Sequence, residues 1–195
     1  MNNSPILWST VSDGADGLVA TEDVVIVIGN EVISAFDLRT GELRWESGMS
    51  DTSGPTAAAI TSDGLVVVAP PFEAIQAFDL SSGEPRPAPD EVIVLEADDG
   101  RLPEGYEFDA AGLRYAGATI WSEKTEAAPF VKRLGDLTII NNFDHGLRVV
   151  DDYGRVLAAP TLGPREYDEV PILVSGNFAM TVAVDGVLYV VSEQR

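Results

Sequence analysis

The sequence predicts an all-β fold built from repeated four-stranded sheets. Three observations predict it: a hairpin motif recurs along the chain, short β-branched runs precede its copies, and no segment shows convincing helical periodicity. Residues 35–45 read Ala35-Phe36-Asp37-Leu38-Arg39-Thr40-Gly41-Glu42-Leu43-Arg44-Trp45, and residues 77–87 read Ala77-Phe78-Asp79-Leu80-Ser81-Ser82-Gly83-Glu84-Pro85-Arg86-Pro87. Two fainter copies are Phe108-Asp109-Ala110-Ala111-Gly112-Leu113-Arg114-Tyr115 and Val150-Asp151-Asp152-Tyr153-Gly154-Arg155-Val156-Leu157. The aspartates at 37, 79, 109 and 151 are therefore 42, 30 and 42 residues apart. A spacing near 40 is that of one four-stranded propeller blade, so the repeats predict a β-propeller with residues 1–195 as a single domain.

Each part of the motif has a physical role. A strand ends at the aspartate, whose carboxylate accepts hydrogen bonds from backbone N–H groups one to three residues on. The glycine supplies positive φ where the chain reverses. The following strand carries a large aromatic that packs between neighbouring sheets. These roles make Asp37, Gly41, Trp45, Asp79, Gly83, Asp109, Gly112, Asp151 and Gly154 structural residues of the repeat turns. The runs Val24–Ile28, Leu65–Val68, Leu137–Ile140 and Met180–Val184 are continuous and apolar, as strands buried on both faces are. The one stretch compatible with a helix is 120–134.

Residues 24–47 resemble the PQQ-like (BamB-type) repeat: an apolar strand, a short turn, an apolar strand ending in Ala-x-Asp, then x-x-Thr-Gly-x-x-x-Trp. The match is close at 35–45, eroded at 77–87 where Pro87 replaces the tryptophan, and faint in the last two copies. The resemblance implies a propeller, usually of seven or eight blades, in a family of quinone-dependent dehydrogenases, outer-membrane assembly scaffolds and sensor domains. The dehydrogenases hold quinone with a stacked tryptophan, a vicinal cysteine pair and calcium. This chain has no cysteine, so no residue is assigned to those roles and PQQ is not expected; calcium held at the turns is the weaker alternative.

The ends of the chain complement each other. Ile6-Leu7-Trp8-Ser9-Thr10 resembles the outer strand Leu43-Arg44-Trp45-Glu46-Ser47, and Val187–Ser192 resembles the strand that precedes such a tryptophan strand. An N-terminal strand that completes the last sheet would close a ring and remove its free edges. The count is then about five blades. The alternative is an open half of a seven- or eight-bladed propeller.

Bulk composition limits the functions. Thirty-two acidic residues face twelve basic ones, giving a net charge of −20. Such a surface repels phosphate backbones and anionic lipid heads, which argues against nucleic-acid binding and direct membrane insertion, and favours cations or a basic protein partner. Without cysteine, disulfides and thiolate zinc sites are excluded. No apolar run approaches the length that crosses a bilayer. The resemblance points to a bacterial cell envelope, with a signal or anchor preceding Met1; the alternative is the cytoplasm.

Few segments invite chemistry. Asp13-Gly14-Ala15-Asp16-Gly17 has oxygen ligands at alternating spacing but lacks the bidentate glutamate of a calcium loop, so a linking turn is the better reading, and Asp98-Asp99-Gly100 and Asp151-Asp152 read the same way. His145, the one histidine, lies between two strands beside Asp144 and reads as a solvated turn residue. The stretch 120–126 breaks the repeat rhythm and, with Lys132-Arg133, holds three of the few positive charges. Trp121, Lys124, Lys132 and Arg133 are thus the candidate partner-binding residues, with Trp121 otherwise the packing aromatic of an outer strand. The expected function is a non-enzymatic interaction scaffold or sensor domain. The alternative is a small-ligand or carbohydrate-binding propeller, hydrolytic or not, that uses axis-facing carboxylates.

Overall fold

The computed structural model describes residues 4–12, 15–29, 31–50, 56–70, 73–89, 102–123, 125, 128–161, 163, 171–183 and 185–193. Every described element is a strand. The chain opens with β1 (Ile6–Val11). β2 (Ala15–Ala20), β3 (Val24–Gly29), β4 (Val32–Asp37) and β5 (Leu43–Gly48) form a sheet in chain order. β6 (Ala57–Ile60), β7 (Leu65–Ala69), β8 (Gln76–Asp79) and β9 (Pro85–Arg86) form the next. β10 (Tyr106–Asp109), β11 (Gly112–Tyr115) and β12 (Ala118–Trp121) make a three-stranded sheet. β13 (Phe130–Leu134), β14 (Leu137–Asn142), β15 (Gly146–Asp151) and β16 (Val156–Ala158) follow as a four-stranded one. The last strands are β17 (Leu173–Ser175), β18 (Phe178–Val182) and β19 (Val187–Ser192), and β1 pairs with β19 to complete their sheet. Every described pairing is antiparallel, and several four-stranded antiparallel sheets in chain order are consistent with a propeller-like fold. The strand-pairing of the termini expected from the sequence is present, with Thr10 opposite Leu188 and Val11 opposite Val187. The stretch 120–134 holds two strands in place of a helix.

The strands fall into two compact units, residues 12–99 and residues 1–11 with 100–195. In the first unit, Val24, Ile26 and Ile28 of β3 pack with Val66, Val68 and Phe78 of the next sheet. In the second, β14 is buried along its whole length, and its alternation divides it between two neighbours. Ile140 joins a core with Tyr106, Leu113 and Ile120, while Leu137 and Ile139 join one with Ala179, Tyr189 and Val191. Fully burying each isoleucine stabilises the fold by about 2–3 kcal/mol. Polar groups on the same strand are matched across the sheets: Tyr106 Oη and Thr138 Oγ1 lie 2.8 Å apart, and Asn141 Nδ2 donates to Thr181 Oγ1 at 2.8 Å and to the Val182 carbonyl at 3.1 Å.

The aspartate turns form as the motif predicts, with one addition. Asp37 Oδ1 accepts the Arg39 and Thr40 N–H groups at 3.0 and 2.9 Å, and Asp79 Oδ1 accepts those of Ser81 and Ser82 at 3.0 and 3.2 Å. Asp109 Oδ1 takes Ala111 N–H at 2.7 Å, and Asp151 Oδ1 takes Tyr153 and Arg155 N–H at 3.0 and 2.9 Å. In each case the other carboxylate oxygen accepts an arginine: Arg44 at 2.7 Å, Arg86 at 3.1 Å, Arg114 at 2.6 Å and Arg155 at 2.6 Å. Gly41, Gly83, Gly112 and Gly154 all have positive φ. The Arg44 bond and the turn N–H groups hold the Asp37 carboxyl well below the usual carboxylate range. Bonds from Ser81, then Arg86, do the same for Asp79. Burial alone would raise the Asp151 carboxyl, but the Arg155 backbone, its guanidinium and the Tyr153 N–H outweigh it.

One copy is displaced. Asp109 and Gly112 connect the first and second described strands of their sheet, whereas Asp37, Asp79 and Asp151 connect the third and fourth. The same turn chemistry therefore serves a different pair of strands in this sheet, 30 positions after Asp79.

The repeat tryptophan packs as expected. Trp45 is buried, its Nε1 donates to the Leu80 carbonyl at 2.8 Å, and its ring covers Gly83 of the following sheet. A Cβ at Gly83 would sit 2.5 Å from Trp45 Cε3, and φ there is +72°. Gly83→Ala is therefore expected to cost about 2–3 kcal/mol by urea unfolding, through contact and backbone strain together; a loss under about 0.5 kcal/mol would show that the indole yields freely. The depressed carboxyls set an acid dependence. Their stabilisation is fully present above the unfolded carboxylate value near 3.9 and is lost as pH falls through the folded values. Stability measured from pH 6 down to 2 should hold to about pH 4 and then fall, and Asp37→Asn should lessen that fall.

Candidate functional site

The off-rhythm segment and the lone histidine, separate in the sequence, meet in the second unit. Trp121 ends β12 and Glu123 follows it. The turn between β14 and β15 carries Phe143, Asp144 and His145. Glu123 Oε2 accepts Trp121 Nε1 at 3.1 Å and lies 3.4 Å from both His145 Nδ1 and Arg148 Nε. The His145 ring meets the Trp121 ring edge-on, with centroids 5.9 Å apart. Two residues on, Thr125 Oγ1 donates to Asp144 Oδ2 at 2.8 Å and accepts Asn142 Nδ2 at 2.8 Å. Asn142 Oδ1 in turn accepts the Asp144 N–H at 2.9 Å. Glu123 and Thr125 thus fasten the connection between two sheets onto the tip of the β14–β15 hairpin.

The arrangement is a carboxylate that accepts an indole N–H and lies beside an imidazole and a guanidinium. Arg148, whose side chain is 16% exposed, also donates to the His145 and Leu147 carbonyls, which fixes the turn from below. His145 is a turn residue as expected, but its side chain is only 28% exposed and is clamped between Trp121 and Glu123 in place of standing in solvent. A general acid or base needs a reacting group aimed at it. The Thr125 hydroxyl is engaged with Asp144 and Asn142.

The candidate partner-binding residues separate. Trp121 is 5% exposed and belongs to the core with Leu113, Ile120 and Val150. It is the packing aromatic of an outer strand. Lys132 and Arg133 lie half-buried on β13. Arg133 bonds Asp152 at 2.8 Å and lies 4.7 Å above the Tyr115 ring. Lys124 lies outside the described residues, as do Asp13, Gly14 and Asp98-Asp99-Gly100. Asp16 is in β2. Among the described residues no three His, Asp or Glu side chains gather to hold a metal ion, and no helix is long and apolar enough to cross a membrane. The residues that sequence reasoning missed are Glu123, Arg148 and the Thr125–Asn142 pair. Glu123 and His145 are 22 positions apart, and no local pattern announces that contact.

No protein-family model and no curated protein matches the chain. Among solved structures, BamB from Moraxella catarrhalis is similar at 13% identity and a TM-score of 0.31, over 91% of this chain and 43% of that one. The computationally designed Ika4 is similar at 14% identity and 0.32, over 92% and 91%. The designed Ika8 is similar at 15% and 0.32, over 90% and 57%. The chain thus spans less than half of BamB. At these values neither a family nor a function follows from the likeness.

Glu123→Ala should leave the sheets intact and release the connection. Amide exchange at 122–125 and 143–146 is expected to rise at least about tenfold, with a global loss of about 1–2 kcal/mol. Unchanged exchange there would show that Thr125 alone holds the segment.

Proposed function

We propose that the chain is a non-enzymatic β-propeller, its five sheets the blades of one closed ring, that serves as a protein-interaction scaffold or sensor domain in a bacterial cell envelope. The observation that carries this reading is the use made of the polar side chains. The four repeat carboxylates each hold a turn and an arginine, and Glu123 and Asp144 hold a connection onto a hairpin. Meanwhile large side chains such as Phe143, at 41%, and Tyr153, at 85%, stand exposed on hairpin tips, where partners are met. The net charge of −20 favours a basic partner and speeds its approach at low salt. No cofactor is part of this reading.

The purified chain should form a stoichiometric complex with an envelope protein, isolable by size exclusion. It should turn over neither glycosides nor alcohols in the absence of a partner. Turnover at about 1 s⁻¹ or faster, within the ordinary range of enzymes, overturns the reading.

A further inference from the structure

We propose that the β15–β16 hairpin and the adjoining strand β12 form a docking patch for a basic protein segment that presents apolar side chains; the inference deepens the interaction reading above and rests on it. Tyr153 at the hairpin tip is 85% exposed, and Val156, where β16 begins, is 56% exposed. The hairpin sits on β12: a Cβ at Gly154 would lie 3.2 Å from Ile120 Cα and 3.4 Å from the Thr119 carbonyl oxygen. Ala118 and Thr119 are themselves exposed. Tyr153 and Val156 thus flank the glycine that lies against β12, and the exposed Ala118 and Thr119 are on that same strand.

The charges of the hairpin are internally matched. Arg155 bonds Asp151 at 2.6 Å and lies 5.6 Å above the Tyr153 ring, and Asp152 bonds Arg133 at 2.8 Å. In a chain of net charge −20 this is a neutral patch. The residue that follows the repeat aspartate by two positions is Arg39, Ser81 or Ala111 in the other turns, so Tyr153 is not required by the turn. Tyrosine and arginine dominate binding hot spots, and a ring held against a fixed guanidinium loses little freedom on contact. The charge selects the occupant. Two copies at −20 each repel one another, whereas a segment whose apolar residues are flanked by lysine or arginine gains the attraction of the whole acidic surface.

The test uses the full chain, ¹⁵N-labelled, titrated with a synthetic peptide of Leu, Phe and Val flanked by lysines, and with the same core flanked by glutamates. The lysine-flanked peptide is expected to bind saturably, to shift the amides of 117–120 and 152–158, and to weaken as salt is raised. Binding should fall by about tenfold in Tyr153→Ala combined with Val156→Ser. The melting temperature, measured alongside, should stay unchanged because both side chains are exposed. No saturable binding to the lysine-flanked peptide, equal binding of both peptides, or a double variant that binds as tightly as the parent overturns the patch. Shifts mapping to another surface overturn the patch but leave the interaction reading standing. Only partner-free turnover removes that reading.

Discussion

Each repeat turn is held by one carboxylate working in two directions. One oxygen collects the N–H groups of the turn, and the other takes an arginine from beyond it. The first action fixes the reversal and the second ties the residues after the turn back to it. Arg44 and Arg86 follow their aspartates by seven positions and Arg155 by four, yet all three bond the same carboxylate oxygen, Oδ2. A charge-assisted bond of this kind is roughly twice as strong as a neutral one. With the hairpin fixed, the outer strand presents its aromatic to the next sheet, as Trp45 does to Leu80 and Gly83.

Stacking depends on strands that have no outside. β3 and β14 are buried at every residue, and the β14 sheet is the wall of two cores, one on each face. This leaves the backbone ladder to satisfy polar groups along these strands. Where a side chain adds a polar atom, the neighbouring sheet answers it, as Tyr106 answers Thr138 and Thr181 answers Asn141. The pairing of β1 with β19 gives the C-terminal sheet its fourth strand and covers an edge that would otherwise invite association.

Much of this was legible because it is local. Asp37, Gly41 and Trp45 announce a turn and a packing aromatic through chemistry that acts within ten residues, and the runs at 24, 65, 137 and 180 announce buried strands by composition alone. The complement between Ile6–Thr10 and Val187–Ser192 was legible because both ends carry pieces of the same motif. The arginine half of each clamp was hidden because its separation from the aspartate varies among seven, five and four positions. A second periodic turn was also hidden. Thr21 and Thr61 Oγ1 accept the N–H groups of Val24 and Leu65, and the Leu38 and Leu80 N–H groups bond the carbonyls of Asp23 and Gly64. The clamp of Glu123 on His145 was unreadable because it joins a connection to a hairpin tip through tertiary structure alone. The displaced Asp109 turn looked like its siblings because a turn motif does not state which pair of strands it joins.

The proposed interaction role follows from the same economy: polar groups that build turns and fasten connections leave the hairpin tips to meet partners. The claim beneath it is that the carboxylate clamps set the hairpins, and urea unfolding of Asp37→Asn against the parent at neutral pH tests it most directly. Asparagine keeps an acceptor for the turn but gives up the ionic bond to Arg44. A loss of about 1.5–3 kcal/mol, the range for hydrogen bonds to charged groups, is the expected result. A change within about 0.3 kcal/mol, typical of a surface substitution without structural consequence, would contradict it.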